Sequence, residues 1–533
     1  MLDNLPLLSL LLFSPLVGIL ALLFVPKQNG NLIKWIAISS TFLPLILSII
    51  LLVQFNAHGE GMQFAENVRW LHIELSKYTP VLEGIEHFYY DFSYSLGVDG
   101  LSLPLVALTT FITAMAALSS VVIKKRWKTF YLMFLLLEIG MLGVFMARDL
   151  MLFFVFFEIT LIPMFFLIGI WGNKERERAA NQFLLYNGIG SALMFIAFMI
   201  LISTAGFSFN EEKLSLFYSG SYDVIAANIA NLDSFANAAD ILGGAFFLSD
   251  GLKAFTFVLL LVAFGIKLPI FPFHTWMLKV HTEAPPSVVM IHSGILLKMG
   301  AYGLFRFGVY MFPEQTQHWA MALAILGVIN IVYGAILALV QKELKLVLAY
   351  SSISHMGIVL LGIASLNIYG LQGAAYQLIS HGLISALMFL IVGMIQERTG
   401  TTELDRLGGM AKTLPFISGV FLIAGMASLG LPATSGFVAE FLAFLGLFDK
   451  YPVIAIVGTL GIVLTAVYVL RAVLKITFGP TEPAVEGLRD ARYIESAPMV
   501  ALVALILLLG IYPAVLTDML NNALHLIMRG IGG

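Results

Sequence analysis

The sequence predicts an all-α polytopic membrane protein of about fourteen transmembrane helices, built on two inverted five-helix repeats, helices 4–8 and 9–13, with helices 7 and 12 broken. Three observations carry this. Apolar runs of about 20 residues recur from end to end of the 533-residue chain, each long enough to cross a bilayer as a helix. The chain is 59% hydrophobic and 11% charged, too little polar surface to coat a soluble core of that size. Two of the runs, five spans apart, are interrupted by proline and glycine.

The runs lie near residues 5–25, 33–55, 101–123, 129–147, 150–171, 181–205, 253–273, 287–309, 319–340, 345–365, 371–396, 413–444, 452–475 and 496–517. They are continuous, whereas barrel strands would alternate. The first run follows Asp3 and lacks a basic flank, so it reads as a first transmembrane helix rather than a cleaved signal. The expected organisation is an N-terminal part, 1–123, two repeats, 124–309 and 310–477, and a C-terminal helix in 478–533. The long polar loops, 56–98 and 206–252, hold too few apolar residues for large soluble domains.

Loop charge sets the orientation. Loops after odd-numbered spans carry most of the basic residues, among them Lys124, Lys125, Arg126, Lys128, Lys174, Arg176, Arg178, Lys342, Lys345, Arg489 and Arg492. Loops after even-numbered spans carry few, Arg69, Lys77, Arg148, Lys213, Lys253, Arg306 and Lys450. The expectation is that odd loops face the cytoplasm and both termini face outward. The acidic loop 56–98, with Glu60, Glu66, Glu74, Glu83, Glu86 and Asp91, suits the outer side. With a net charge of −3, nothing suggests nucleic acid as a partner. The absence of cysteine excludes disulfides, cysteine-ligated iron–sulfur clusters and thiolate zinc sites.

Five charges sit well inside apolar runs: Glu138, Glu158, Lys267, Lys298 and Glu440. Each costs on the order of 2.5–3.5 kcal/mol at a helix centre. Ion pairs that merely join helices rarely outperform apolar packing, so an ion path is the stronger reason to keep them. Lysine and glutamate in a dry site can both lose their charge. Arginine cannot, and none of the five is arginine. A metal-ion carrier would need oxygen clusters, and the lysines would repel its cargo. His274, His281, His292, His355 and His381 lie in or beside the same spans, and "SSISHMG" (Ser351–Gly357) adds hydroxyls. Together they read as a proton relay, although a single histidine is more often a packing residue.

The breaks fit this reading. Pro269 and Pro272 free carbonyls just after Lys267, and Gly430, Pro432 and Gly436 precede Glu440. Broken helices at membrane depth persist only where protein or water satisfies the freed groups, and in corresponding positions of two repeats they point to a transport path.

The segments "FFVFFEITLIPMFFLIGIWG", "KLPIFPFHTW", "HTEAPPSVVMIHSGILLKMGAYGLFRF", "AYSSISHMG" and "ASLGLPATSGFVAEF" resemble the antiporter-like membrane subunits of respiratory complex I, above all the subunit M type of bacterial NADH–quinone oxidoreductase and its mitochondrial counterpart, subunit 4. The resemblance covers spans 3 to 14. It implies that Glu158 pairs with Lys267, that Lys298 is the central lysine, and that His355 and His381 lie between the lysines and the titratable group of the broken twelfth span, Glu440. A glutamate there matches the M type; sister subunits usually carry lysine. One departure is "HTWMLKVHTEAP", where Lys279 stands at a position the family gives to an acid. The resemblance assigns no role to Glu138, which reads equally as a hydrogen-bonded helix contact or as part of the relay. The resemblance further implies a proton-translocating subunit in the bacterial inner membrane with no cofactor of its own. Its partners would be neighbouring antiporter-like subunits of the membrane arm, the lipid bilayer and protons, and other subunits would hold FMN, iron–sulfur clusters and quinone. The rival readings are the large subunit of an Mrp-type Na⁺/H⁺ antiporter or of a membrane-bound hydrogenase, and, in another class, a scaffold bundle that pumps nothing.

Overall fold

A computed structural model describes residues 5–59, 61–75, 87–210, 215–239 and 244–529. Chain order begins with α1 (Leu7–Phe24) and α2 (Gly30–Gln54), then β1 (Gln63–Glu74), β2 (His87–Val98), α3 (Ser102–Ser119), α4 (Trp127–Met146), α5 (Leu150–Trp171) and α6 (Arg176–Ser203). Next come β3 (Phe207–Asn210), β4 (Ser215–Ser219), α7 (Tyr222–Ala230), α8 (Asp250–Lys267) and α9 (Thr275–Glu283). The eighth span, Pro286–Tyr310, comprises α10 (Pro286–Ile291), a π turn (His292–Leu296), α11 (Leu297–Gly303) and a second π turn (Leu304–Tyr310). It is followed by α12 (Pro313–Val340), α13 (Leu344–Ser365), α14 (Ile368–Thr399), α15 (Pro415–Ser428), α16 (Ser435–Lys450), α17 (Pro452–Thr477), α18 (Tyr493–Ile511) and α19 (Ala514–Arg529).

Among the described residues, 12 helical spans are long and apolar enough to cross a membrane. Two further apolar stretches are the broken pairs α8/α9 and α15/α16. The expected seventh span, 253–273, stops as a helix at Lys267 and resumes at Thr275. The expected span 496–517 ends at Ile511, because Pro513 has no N–H to continue the ladder and Tyr512 before it leaves the helical region. The rest of that run belongs to α19, whose Asp518, Asn521, Asn522 and His525 are too polar for a bilayer centre.

The all-helical expectation holds for the spans but not for the long loops. These meet in one four-stranded sheet of order β1-β2-β4-β3, with β2 and β4 parallel and the other pairs antiparallel. Aromatic residues at strand spacing stack across it, Tyr90 on Tyr218 at 4.7 Å and Tyr89 on Phe217 at 5.8 Å. Glu60, Lys77, Glu83, Glu86 and Lys213 lie outside the described residues.

Burial is uneven. The eighth span, α13 and α14 are 100, 89 and 94% buried over their apolar windows, whereas α2 and α17 are each 33% buried. The outer helices present Val53, Val453 and Ile456 to their surroundings, as lipid or partner contact requires. The helices that carry Lys298, His355 and His381 are thus the innermost ones.

Loops after odd spans bond to one another: Asn173 N to Glu283 O (2.8 Å), Leu344 N to Thr402 O (2.8 Å) and Gly409 N to Phe478 O (3.1 Å). Loops after even spans do the same, with Arg148 N on Ser95 O (2.9 Å), Leu150 N on Gly220 O (2.8 Å) and Asn522 Nδ2 on Ala57 O (2.9 Å). The chain alternates between two coherent faces.

The even-loop face is tightly closed at Gly100, where a Cβ would come within 1.7 Å of Met519 O on α19. Gly100→Ala is expected to displace α19 and cost about 1–3 kcal/mol, the usual penalty of overpacking. A lower thermal unfolding midpoint of the detergent-solubilised protein measures it; an unchanged midpoint shows that α19 docks loosely.

Candidate functional site

The break after Lys267 is satisfied by protein. Leu268 N makes a last helical bond to Phe264 O (2.8 Å), and Ile270 N folds back to Gly265 O (2.9 Å). The Ile266 carbonyl, which lacks its usual helical donor, accepts from Trp276 Nε1 (3.1 Å), and Phe271 N donates to Oδ1 of the fully buried Asn330 (2.8 Å). His274 Nε2 meets the Tyr333 hydroxyl at 3.1 Å. The prolines open the helix, and α9 and α12 close the account of its polar groups.

Lys267 is 2% exposed. Its Nζ lies 4.8 Å from the ring centroid of Phe157 and 5.7 Å from that of Phe183, so two aromatic faces share the charge. Glu158 follows Phe157 on α5 and lies within electrostatic reach of Lys267, but no ion pair within 4.0 Å joins them. The close pairing that the resemblance implies is therefore absent from this conformation, and Glu158 Oε1 is buried without a hydrogen-bond partner.

Lys298 is wholly buried. Its Nζ donates to Ser293 O (2.5 Å) and contacts His381 Nδ1 (2.7 Å). Ser293 lies in the first π turn, a distortion that recurs at functional sites. The His381 ring stands 5.4 Å, centroid to centroid, from that of His355. His355 Nδ1 lies 3.6 Å from Glu440 Oε1 and accepts from Gln377 Nε2 at 3.2 Å. That nitrogen thus accepts from an amide and faces a carboxylate beyond hydrogen-bond distance. Ser428 Oγ lies 3.4 Å from His355 Nε2. Lys298, His381, His355 and Glu440, from three spans and the second half of the broken twelfth, lie in sequence, with a ring-to-ring step of 5.4 Å between the two histidines.

Glu440 is 7% exposed, at the floor of a groove of about 460 Å³ walled by Phe437, Phe441, Phe444 and Ile456. Gly430, at φ +76, makes room for it: a Cβ there would lie 2.6 Å from Glu440 Oε2. The break before α16 therefore sets the position of the carboxylate.

Between the two lysines lies a pair that sequence reading names without placing. His281 Nε2 and His292 Nδ1 are 2.9 Å apart, and His292 is within electrostatic reach of both Lys267 and Lys298. His281 Nδ1 and His292 Nε2 are buried without protein partners, which marks places for ordered water. Their spacing of eleven residues across a Pro-Pro turn gives no sequence signal of contact. Glu138 on α4 is also wholly buried, both its oxygens lacking partners, and it stands apart from the line. Among the described residues, no three His, Asp or Glu side chains gather as metal ligands.

On the odd-loop face, a cavity of about 1010 Å³ opens beside α9, with Glu175, Lys279, Glu283, Glu343 and Lys345 in its wall. Lys279 Nζ is 3.3 Å from Glu175 Oε2, so a loop carboxylate meets the lysine that departs from the family pattern. Lys345 Nζ donates to Thr282 O (3.0 Å), next to His281.

Arg306, grouped with the loop charges in the sequence, is instead 4% exposed in the second π turn, and its Nη2 bonds Asp99 Oδ1 at 2.6 Å. An arginine near a span end reads as a loop residue until its partner, some two hundred positions away, is known.

Comparison with known proteins gives a consistent result. Residues 147–465 match the family described as NADH:quinone oxidoreductase/Mrp antiporter, and residues 68–147 match the amino terminus of NADH-ubiquinone oxidoreductase chain 4. NADH-quinone oxidoreductase subunit M of Rhodobacter capsulatus is 36% identical, over 98% of this chain and 96% of that protein. A chain of respiratory complex I from Thermus thermophilus superposes with a TM-score of 0.80 at 28% identity, covering 99% of this chain and all of that one. A chain of the Mrp complex from Dietzia shares the fold, with a TM-score of 0.79 at 21% identity over 99% of this chain and 100% of that one.

Asn330→Leu is expected to strand the Phe271 N–H in the break, at about 1–3 kcal/mol. Faster hydrogen exchange over 268–274 than over α12 measures the loosening; unchanged exchange shows that another group takes over the bond.

Proposed function

The chain belongs to the subunit M/chain 4 family of NADH–quinone oxidoreductase, and from that premise we propose that it carries protons along Lys267, Lys298, His381, His355 and Glu440. It is an antiporter-like, proton-translocating subunit of a complex I-type enzyme, and its partners are other membrane-arm subunits. The chain is a multi-pass membrane protein. Its place is the bacterial inner membrane, with the odd-loop face on the cytoplasmic side and both termini outside. Segments 124–309 and 310–477 act as inverted repeats, their breaks at 268–274 and 429–434 in corresponding positions, flanked by 1–123 and 478–533. FMN, iron–sulfur clusters and quinone belong to partner subunits, which reduce the quinone that drives the cycle.

One observation carries the residue assignment: the buried line from Lys298 Nζ through His381 and His355 to Glu440, with contacts of 2.7 and 3.6 Å on either side of one histidine–histidine step. With Glu158 close, Lys267 keeps its proton; with Glu158 withdrawn, the ammonium gives it up through the His292–His281 pair towards Lys298. A change of one pKa unit is about 1.4 kcal/mol, and moving one charge against 100 mV costs about 2.3 kcal/mol. A swing of a few units therefore suffices for one proton.

In inverted vesicles at matched complex content, Lys267→Arg is expected to assemble yet lose most NADH-driven acidification, since arginine holds its proton. Near-normal pumping with arginine would remove deprotonation of this residue from the mechanism. Glu158→Gln is expected to be as damaging as Glu158→Ala, because a carboxylate without hydrogen-bond partners on Oε1 acts through charge. A Gln variant at wild-type activity would make Glu158 a packing residue. At Glu440, aspartate is expected to keep part of the acidification and alanine little of it; equal loss in both would mean that reach to His355, not titration, is what the position supplies.

A further inference from the structure

A second set of buried polar groups begins one turn beyond Lys298, on the side of it away from Ser293. Lys298, Tyr302 and Arg306 follow one another at intervals of four along the eighth span, so they run along one side of it. The Tyr302 hydroxyl donates to Phe145 O (3.2 Å), and the Arg306 guanidinium lies 5.1 Å from the centroid of the Tyr302 ring. Arg306 bonds Asp99 (2.6 Å), which is itself fixed by the N–H groups of Leu101 (3.1 Å) and Ser102 (2.9 Å) at the start of α3.

Beyond this pair the polar groups continue. Tyr222 is buried and within electrostatic reach of Tyr302, Arg306 and Arg148. Tyr310 ends the second π turn and lines a cavity of about 530 Å³ on the even-loop face, with Asp223, Lys253 and Glu314. Tyr222 Oη, Arg306 Nε and Arg148 Nε are all buried without partners. Orphaned groups of this kind in a folded protein are met by water. A hydrated route between the central lysine and the outer face would bypass His381 and let protons already delivered flow back to Lys298.

We propose that the Arg306–Asp99 ion pair is the barrier that closes this route and sends the proton of Lys298 sideways to His381. A guanidinium does not release its proton, and a fixed cation in a narrow polar passage repels a hydrated proton, as it does in proton-excluding water channels. Asp99 makes the buried charge tolerable and holds it in place. The inference rests on Lys298 as a proton carrier.

The test uses the whole complex in inverted vesicles. Asp99→Asn with Arg306→Gln removes both charges at nearly constant size. The expected result is retained NADH–quinone turnover, weakened acidification, and a several-fold faster collapse of an imposed pH gradient without substrate, the potential being clamped with potassium and valinomycin. Adding Lys298→Ala is expected to restore tightness. Arg306→Lys keeps the ion pair but introduces a group that can release a proton, and a smaller leak is expected; if the neutral pair does not assemble, this variant decides alone. Vesicles as tight as wild type overturn the barrier, as does a proportional loss of turnover and acidification without a leak, which would mark the pair as structural. Normal pumping by Lys298→Ala alone would overturn the relay instead, a result the leak measurement does not produce.

Discussion

The constraint on which the rest depends is an ammonium group, Lys298, in a helix with no exposure to water. A charge there must be held by polar atoms or given up. The eighth span supplies one holder from its own backbone: the Ser293 carbonyl, in the first π turn, accepts from Nζ. The second holder, His381, comes from α14, one of the most enclosed helices. Both arrangements need neighbours packed on every side, which explains why these helices sit at the centre while lipid-facing residues crowd the outer ones.

The two broken helices solve one problem in different ways. In the first, the titratable group ends the helix, and tryptophan and asparagine side chains take up the freed backbone groups. In the second, the group follows the break, and a glycine with positive φ makes space for the carboxylate. One break thus holds a lysine against aromatic faces in a sealed environment, and the other brings a glutamate to the floor of an open groove. Such an asymmetry suits a path with a guarded middle and an accessible end.

Of the unpartnered polar atoms along the chain, two groups bear on the path: those of the His281–His292 pair between the lysines, and those around Arg306 towards the even-loop face. Water would serve both places, but to opposite effect: continuity between the lysines, and escape beyond Tyr302. A cation that cannot titrate is a reasonable guard for the second.

Much was legible in the sequence. Length and apolarity determine the spans, because a bilayer requires every backbone polar group to be satisfied within helices. The interior charges stand out against that background, so Glu158, Lys267, Lys298 and Glu440 could be named without a structure. His355 and His381 stood out as histidines in apolar spans, the resemblance implied their place before Glu440, and their contact with Lys298 and Glu440 depends on how α13, α14 and α16 cross. Only the tertiary structure decided that Glu158 stands off from Lys267, that His281 bonds His292, that Arg306 is buried against Asp99, and that the two long loops share a sheet. Each of these joins residues far apart in the chain, and hydropathy reports the medium a residue prefers but not which distant residue meets it there.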